Sequence, residues 1–227
     1  VIQLDEVAVS VSTGDGDLAL LHPTTIELAE HRIALIGSNG SGKSTFARLL
    51  NGLIEPTAGR VTVNGLDTKT DGAAVRRQVG FVFTDPNAQL VMPTCVEDIS
   101  LSLRRTIKDK GDRTKRAREI LAELGLADRA DTTVHALSGG EKQMLALAGV
   151  LATDPEVLVA DEPTTLLDLR NTTLISDRLF ALRQQLILVT HDLDLALRCE
   201  RTLVIDDARV AFDGPSEEAV AFYRALV

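Results

Sequence analysis

Residues 37–45, GSNGSGKST, constrain this chain more than any other stretch. They satisfy the pattern G-x-x-x-x-G-K-[ST], with Gly37, Gly42, Lys43 and Ser44 at its fixed positions. The apolar run Ile33-Ala34-Leu35-Ile36 before it reads as a buried strand, and Phe46, Leu49, Leu50 and Leu53 follow at helical spacing. A loop between a strand and a helix start offers free N–H groups and the positive end of the helix dipole, a setting that favours an anion. Gly37, Gly40 and Gly42 let the backbone curl around phosphate oxygens without Cβ clashes. Ser38, Asn39, Ser41 and Thr45 complete the expected cradle. Lys43 would reach the β- and γ-phosphates, and the Ser44 hydroxyl would ligate Mg²⁺. A chance match in this strand–loop–helix setting is rare, so the stretch predicts a nucleotide site.

Composition narrows the rest. The 227 residues suit one large α/β domain, or one domain carrying a subdomain. A net charge of −9 argues against free nucleic acid as a partner of the whole surface. One Tyr, six Phe and no Trp argue against a base-stacking platform. No N-terminal apolar segment reads as a signal peptide, and the apolar runs are strand-length, far short of the ~20 residues that span a bilayer. Cys95 and Cys199, without metal-ligand spacing, read as plain thiols of a reducing cytosol.

Residues 2–11 alternate as a strand, which Gly14-Asp15-Gly16 turns back toward Ile26 and Leu28. Pro56, Thr57 and Gly59 break the pattern after the first helix. Val61-Thr62-Val63 before Asn64-Gly65 predicts a hairpin with a tight turn. Residues 79–83 form a further strand, ended by Asp85-Pro86-Asn87, and from there to about Leu151 the character is helical. Within that block 116–124 space as a helix that Gly125 can cap. The Lys- and Arg-rich linker 104–118 could face an anionic partner, but a solvated charged face is the better reading. Strands return at 157–161, 186–190 and 202–206 with helices between, as a parallel sheet wound by helices requires. A short amphipathic helix through Val220, Tyr223 and Leu226 follows Gly214-Pro215.

Three further segments could serve the same site. Leu137-Ser138-Gly139-Gly140-Glu141 opens a helical run through Met144, Leu145, Ala148 and Leu151, again a small-residue turn at a helix start. Alone, such a turn is more often an ordinary helix start. The apolar strand from Val157 ends in Asp161 and Glu162. Asp161 can hold Mg²⁺ next to Ser44, usually through water, and Glu162 can polarise an attacking water. His191 follows another apolar strand and either donates to a transferring phosphate or is simply polar at a strand end, while Asp192 suits an N-cap.

In this order, GSNGSGKST, LSGGE with Lys142-Gln143, VLVADEPT, Leu167-Asp168 and VTHD resemble the nucleotide-binding subunits of ATP-binding cassette proteins over essentially the whole chain. The resemblance implies an α/β phosphate-loop NTPase fold: a mainly parallel core sheet, an antiparallel β subdomain and an inserted helical subdomain. One cassette would span 1–227, with about 86–151 as the helical subdomain carrying LSGGE. It also implies Mg²⁺-dependent ATP hydrolysis, with Glu162 and His191 catalytic. Two ATP molecules would be sandwiched between two copies, Lys43 and Ser44 of one facing Ser138, Gly139 and Gly140 of the other. Asp168 resembles the aspartate that communicates across that interface.

Departures from the family pattern are informative. Thr84 stands where the family usually has a metal-touching Gln; it keeps a hydroxyl but is shorter, and Gln89 lies five residues on, a poor substitute. The aromatic that usually stacks on adenine falls near Val11, which offers only apolar contact. Leu166 replaces a commonly small residue.

The stretch 79–99, VGFVFTDPNAQLVMPTCVEDI, is most similar to ATPases of energy-coupling factor importers of vitamins or metal ions. Such a subunit sits peripherally at the cytoplasmic face of the membrane, on a transmembrane scaffold that holds a separate substrate-capturing subunit. A chain this short resembles the versions in dedicated biotin or nickel/cobalt systems, with biotin weakly favoured. Val91, Met92 and Pro93 either line a groove for a partner's helix or pack under the helical subdomain. The alternatives are the ATPase of another cassette transporter, or a non-transport cassette acting on ribosomes or DNA. The DNA-repair type lacks its coiled-coil insertion here, and the ribosomal type usually carries two cassettes.

Overall fold

In the computed structural model, which describes residues 1–14 and 16–226, all five residues of the strand before the glycine-rich loop are buried. The strands are β1 (Ile2–Thr13), β2 (Gly16–Leu28), β3 (Arg32–Ile36), β4 (Ala58–Val63), β5 (Leu66–Asp67), β6 (Val79–Val82), β7 (Val157–Asp161), β8 (Gln185–Val189), β9 (Arg201–Asp206) and β10 (Arg209–Pro215). The helices are α1 (Lys43–Leu49), α2 (Gly72–Gln78), α3 (Cys95–Ser102), α4 (Lys110–Glu123), α5 (Gly139–Leu151), α6 (Leu169–Phe180), α7 (Leu193–Ala196) and α8 (Ser216–Leu226). They fall into two units. One comprises Val1–Val79, Glu156–Glu162 and the chain from Leu182 onward; the other comprises Gly80–Pro155 and Pro163–Ala181.

Within the first unit β9, β3, β8 and β7 run parallel in that order, and β10 closes on β9 antiparallel. Strands covered on both faces need unbroken apolar sequence, which is why β3 and β7 read as runs rather than alternations. A second, antiparallel sheet has the order β2-β1-β4-β5. Between β4 and β5, Asn64 (φ 49°) and Gly65 (φ 82°) are both left-handed, the two central residues of the predicted tight turn. β1 extends to Thr13, two residues beyond the expected end, through its pairing with β2; its last residues are exposed, so no alternation marks them. The turn predicted at Gly14-Asp15-Gly16 includes Asp15, which lies outside the described residues. The expected mainly parallel sheet with an antiparallel β layer is therefore present.

The second unit holds most of β6 together with α3, α4, α5 and α6. Helix α4 begins at Lys110, so the later part of the predicted linker 104–118 is helical. Asp109 starts it by accepting from the Asp112 N–H at 2.9 Å. Its first turns bury nothing, and only Ala117, Ile120 and Leu121 face inward, so no periodicity announces the start. At its end Gly125 takes φ 78°, and the Gly125 and Leu126 N–H groups bond to the Ala122 and Leu121 carbonyls, as expected for a glycine cap. No helix among the described residues is long and apolar enough to cross a membrane.

Candidate nucleotide site

The glycine-rich loop leaves β3 and enters α1 at Lys43 within the first unit. Gly37 takes φ 148°, and a Cβ there would sit 2.0 Å from the Ile205 carbonyl oxygen of β9, so no other residue fits. Gly42 caps α1 without a side-chain hydrogen bond, which leaves first-turn N–H groups to face an anion. Lys43 Nζ donates to the Gly37 and Ser38 carbonyls at 2.9 and 2.8 Å. Burial lowers the Lys43 pKa, while the nearby Glu162 and Asp161 carboxylates act to raise it.

A cleft of about 540 Å³ opens here, lined by Asn39, Gly40 and residues 42–45 with Glu162, and also by Leu18, Ala19, Leu20, Asp207 and Ala208. Val11, the expected apolar contact for a base, is not part of the lining. It pairs with Leu18 across β1 and β2, and β2 is the strand that adjoins the loop: a Cβ on Gly42 would meet the Leu20 oxygen at 2.8 Å. Leu18 therefore supplies the aliphatic wall. Asp207 and Ala208 form the β9–β10 turn in left-handed conformations (φ 43° and 57°). The Ala208 N–H donates to the Ser41 carbonyl at 3.0 Å. With Ala208 where a glycine would flag it, this turn gave only the weak signal of Asp207.

Strand β7 delivers Asp161 and Glu162 to the same place. Ser44 Oγ donates to Asp161 Oδ1 at 3.0 Å, and Arg48 Nη2 lies 3.8 Å from Asp161 Oδ2. A hydroxyl and a carboxylate this close are an oxygen-only donor pair, which fits Mg²⁺ completed by phosphate and water. Among the described residues no group of three or more His, Cys, Asp and Glu forms a cage of its own. Glu162 has φ 48°, held by its N–H on the Val189 carbonyl at 3.0 Å. Its Oε2 lies 3.5 Å from His191 Nδ1, so the structure brings these two together.

Burial pushes the Asp161 carboxyl above the ordinary Asp range, against the Ser44 hydrogen bond and the Arg48 charge. A carboxylate whose folded pKa is raised costs stability once it ionises. That cost is absent below the ordinary Asp pKa and grows as pH rises through the raised value. Asp161→Asn, which can still accept from Ser44, is therefore expected to raise the melting temperature of the nucleotide-free chain at pH 7 by at least about one degree. The gain should vanish near pH 3.5; an equal or lower melting temperature at pH 7 would contradict it.

The second unit holds the remaining candidates. Ser138 is the N-cap of α5, in a reciprocal box with Glu141: the Glu141 N–H donates to Ser138 Oγ at 3.3 Å and the Ser138 N–H to Glu141 Oε2 at 2.8 Å. The Ser138 N–H, helped by Arg129 at 2.8 Å, holds the Glu141 pKa below the usual carboxylate range. Ser138 and Gly139 are exposed and Gly140 is buried. Asp168 caps α6, accepting from the Asn171 N–H at 2.8 Å. Thr84 lies just after β6 in this unit, and Gln89 donates to the Ala146 carbonyl of α5 at 3.1 Å.

A family model described as "ABC transporter" matches residues 24–165. The biotin transport ATP-binding protein BioM of Rhizobium etli is 44% identical, over 99% of this chain and 98% of its own. The energy-coupling factor transporter ATP-binding protein EcfA1 of Halalkalibacterium halodurans is 38% identical, over 84% and 70%. Among solved structures, the ATP-binding cassette MJ0796, a dimer in a post-hydrolysis state bound to ADP and Pi, superposes with a TM-score of 0.84 at 28% identity, over 95% of this chain and 99% of that one. With the loop, the acidic strand end and the LSGGE turn already in place, the chain belongs to the ABC transporter family, as one of its ATP-hydrolysing cassettes.

Proposed function

We propose that this chain is the ATPase subunit of an energy-coupling factor importer, with biotin as the transported cargo. The observation that carries this reading is the end-to-end match to a biotin-transport ATP-binding protein, 99% of one chain against 98% of the other. Two copies pair around two nucleotides on the cytoplasmic face of the membrane, beneath a transmembrane scaffold and a substrate-capturing subunit. In each site Lys43 exchanges the Gly37 and Ser38 carbonyls for phosphate oxygens. Ser44 and Asp161 would hold Mg²⁺. When bound, the ion neutralises charge shared by the β- and γ-phosphates. Glu162 takes the proton of the attacking water, and His191 donates to the γ-phosphate. Water oxygen bonds to phosphorus as the bridge to the β-phosphate breaks, leaving ADP and phosphate. Ser138, Gly139 and Gly140 of the facing copy close the other side.

Val91 is 68% exposed and Met92 lines a groove of about 450 Å³ with Val96, Leu101 and Arg104. That exposure supports docking of a membrane subunit's helix over packing beneath the helices. The test is reconstitution of the chain with its co-purifying membrane subunits in vesicles. Labelled biotin should enter only with ATP and Mg²⁺ on the cassette side. Uptake of cobalt or nickel instead would reassign the cargo, and a chain that recruits no multi-span membrane protein would overturn the importer reading.

A further inference from the structure

We propose that Asn171 is a positioning residue that joins the LSGGE turn to Asp168, so that the two segments move as one piece. Its role in turnover rests on the paired-cassette reading above; the contact itself does not.

Gly140 is a buried residue in the first turn of α5 with an ordinary helical backbone, so conformation alone does not demand glycine there. Space does. A Cβ on Gly140 would lie 2.4 Å from both Cγ and Oδ1 of Asn171 and 2.8 Å from its Nδ2, closer than non-bonded carbon tolerates. The Asn171 amide is tethered where it stands, because its Nδ2 donates to Asp168 Oδ2 at 3.1 Å, and swinging aside would break that bond. Its backbone N–H donates to the other oxygen of the same carboxylate at 2.8 Å. Next to it, a Cβ on Gly139 would stand in ordinary contact with Leu167 Cδ2 at 3.9 Å and the Leu166 oxygen at 4.0 Å. The turn from Leu166 to Asp168 thus lies along the LSGGE turn, and the Asn171 amide is the wedge between them. A displacement of Asp168 must be felt at Gly140 through that amide, and the reverse holds equally. Sequence reasoning assigned Gly140 only to the nucleotide; its neighbour within the same chain gives a second reason for glycine.

A double-mutant cycle of Gly140→Ala and Asn171→Ala tests this, read by melting temperature and by ATP turnover of the purified chain across ATP concentrations. Gly140→Ala should lower the melting temperature and cut kcat more than about tenfold. Asn171→Ala should lower kcat several-fold with KM within about twofold, and make Asp168→Asn nearly silent. The double variant should melt above Gly140→Ala and recover at least about threefold of its lost kcat. Additive melting shifts would refute the contact. Recovered melting without recovered kcat, or Asn171→Ala with wild-type kcat, would refute the positioning role. A wild-type chain without ATP turnover would instead count against the ATPase reading, while the melting cycle would still decide the contact.

Discussion

Glu162→Gln is expected to bind ATP about as tightly as the wild type and to turn it over at least about a hundred times more slowly. Gln has nearly the same shape, so it can keep the left-handed backbone and the place beside His191. It cannot accept the proton of the attacking water. In the proposed site, ground-state contacts to phosphate would come from Lys43 and the loop amides, which the substitution leaves alone. The comparison with Lys43→Ala makes the assignment specific, because removing a full charge from beside the phosphates should weaken binding itself. Fluorescent-nucleotide titration and kcat at saturating ATP in the assembled complex separate the two. Wild-type turnover from Glu162→Gln would take the proton-accepting role away from this residue.

Ser138→Arg is expected to abolish turnover while ATP binding to the isolated monomer stays nearly intact. Ser138 is exposed at the start of α5, so a long cationic side chain projects from the surface without entering a core. Part of the effect is local: losing the N-cap costs about 1 kcal/mol, and a positive charge at a helix start opposes the dipole. Ser138→Ala removes the same cap without the bulk and should retain a substantial share of activity, which isolates the steric effect on a facing copy. Wild-type specific activity should rise with protein concentration. A monodisperse monomer with concentration-independent activity would sink the borrowed-residue account.

The phosphate loop, β3 and β7 were legible because each is a dense local signal: glycines at fixed spacing, then unbroken apolar runs that only buried strands require. The helix cap at Gly125 was legible because a lone glycine ends the helically spaced run 116–124. Helix α2 was not, since Val75 is its one buried residue and a single apolar position has no period. Strand β10 alternates between partly and fully exposed positions, so its pairing with β9 carries little hydrophobic signature. Within the site, what escaped sequence reasoning is what distant chain segments supply. Leu18 rather than Val11 lines the cleft because β2 adjoins the loop, a fact of sheet order. Arg48 near Asp161 and Asn171 against Gly140 depend on contacts no local pattern encodes. The Ser138–Glu141 box escaped sequence reasoning too, although S-x-x-E before an apolar run is the local signature of such a cap.

The β9–β10 turn has a consequence for when the protein becomes able to hold nucleotide. The glycine-rich loop is synthesised early, yet Ile205 packs under Gly37 and Ala208 ties down the Ser41 carbonyl. Those residues leave the ribosome only long after the loop itself. Contacts between such remote segments close slowly, because a long stretch must give up its freedom before they form. A nascent chain halted before β9 would carry the complete motif and still lack the brace behind it. The braced loop thus waits for β9 and β10 to be made, and any ligand that prefers it holds that hairpin against fraying by mass action.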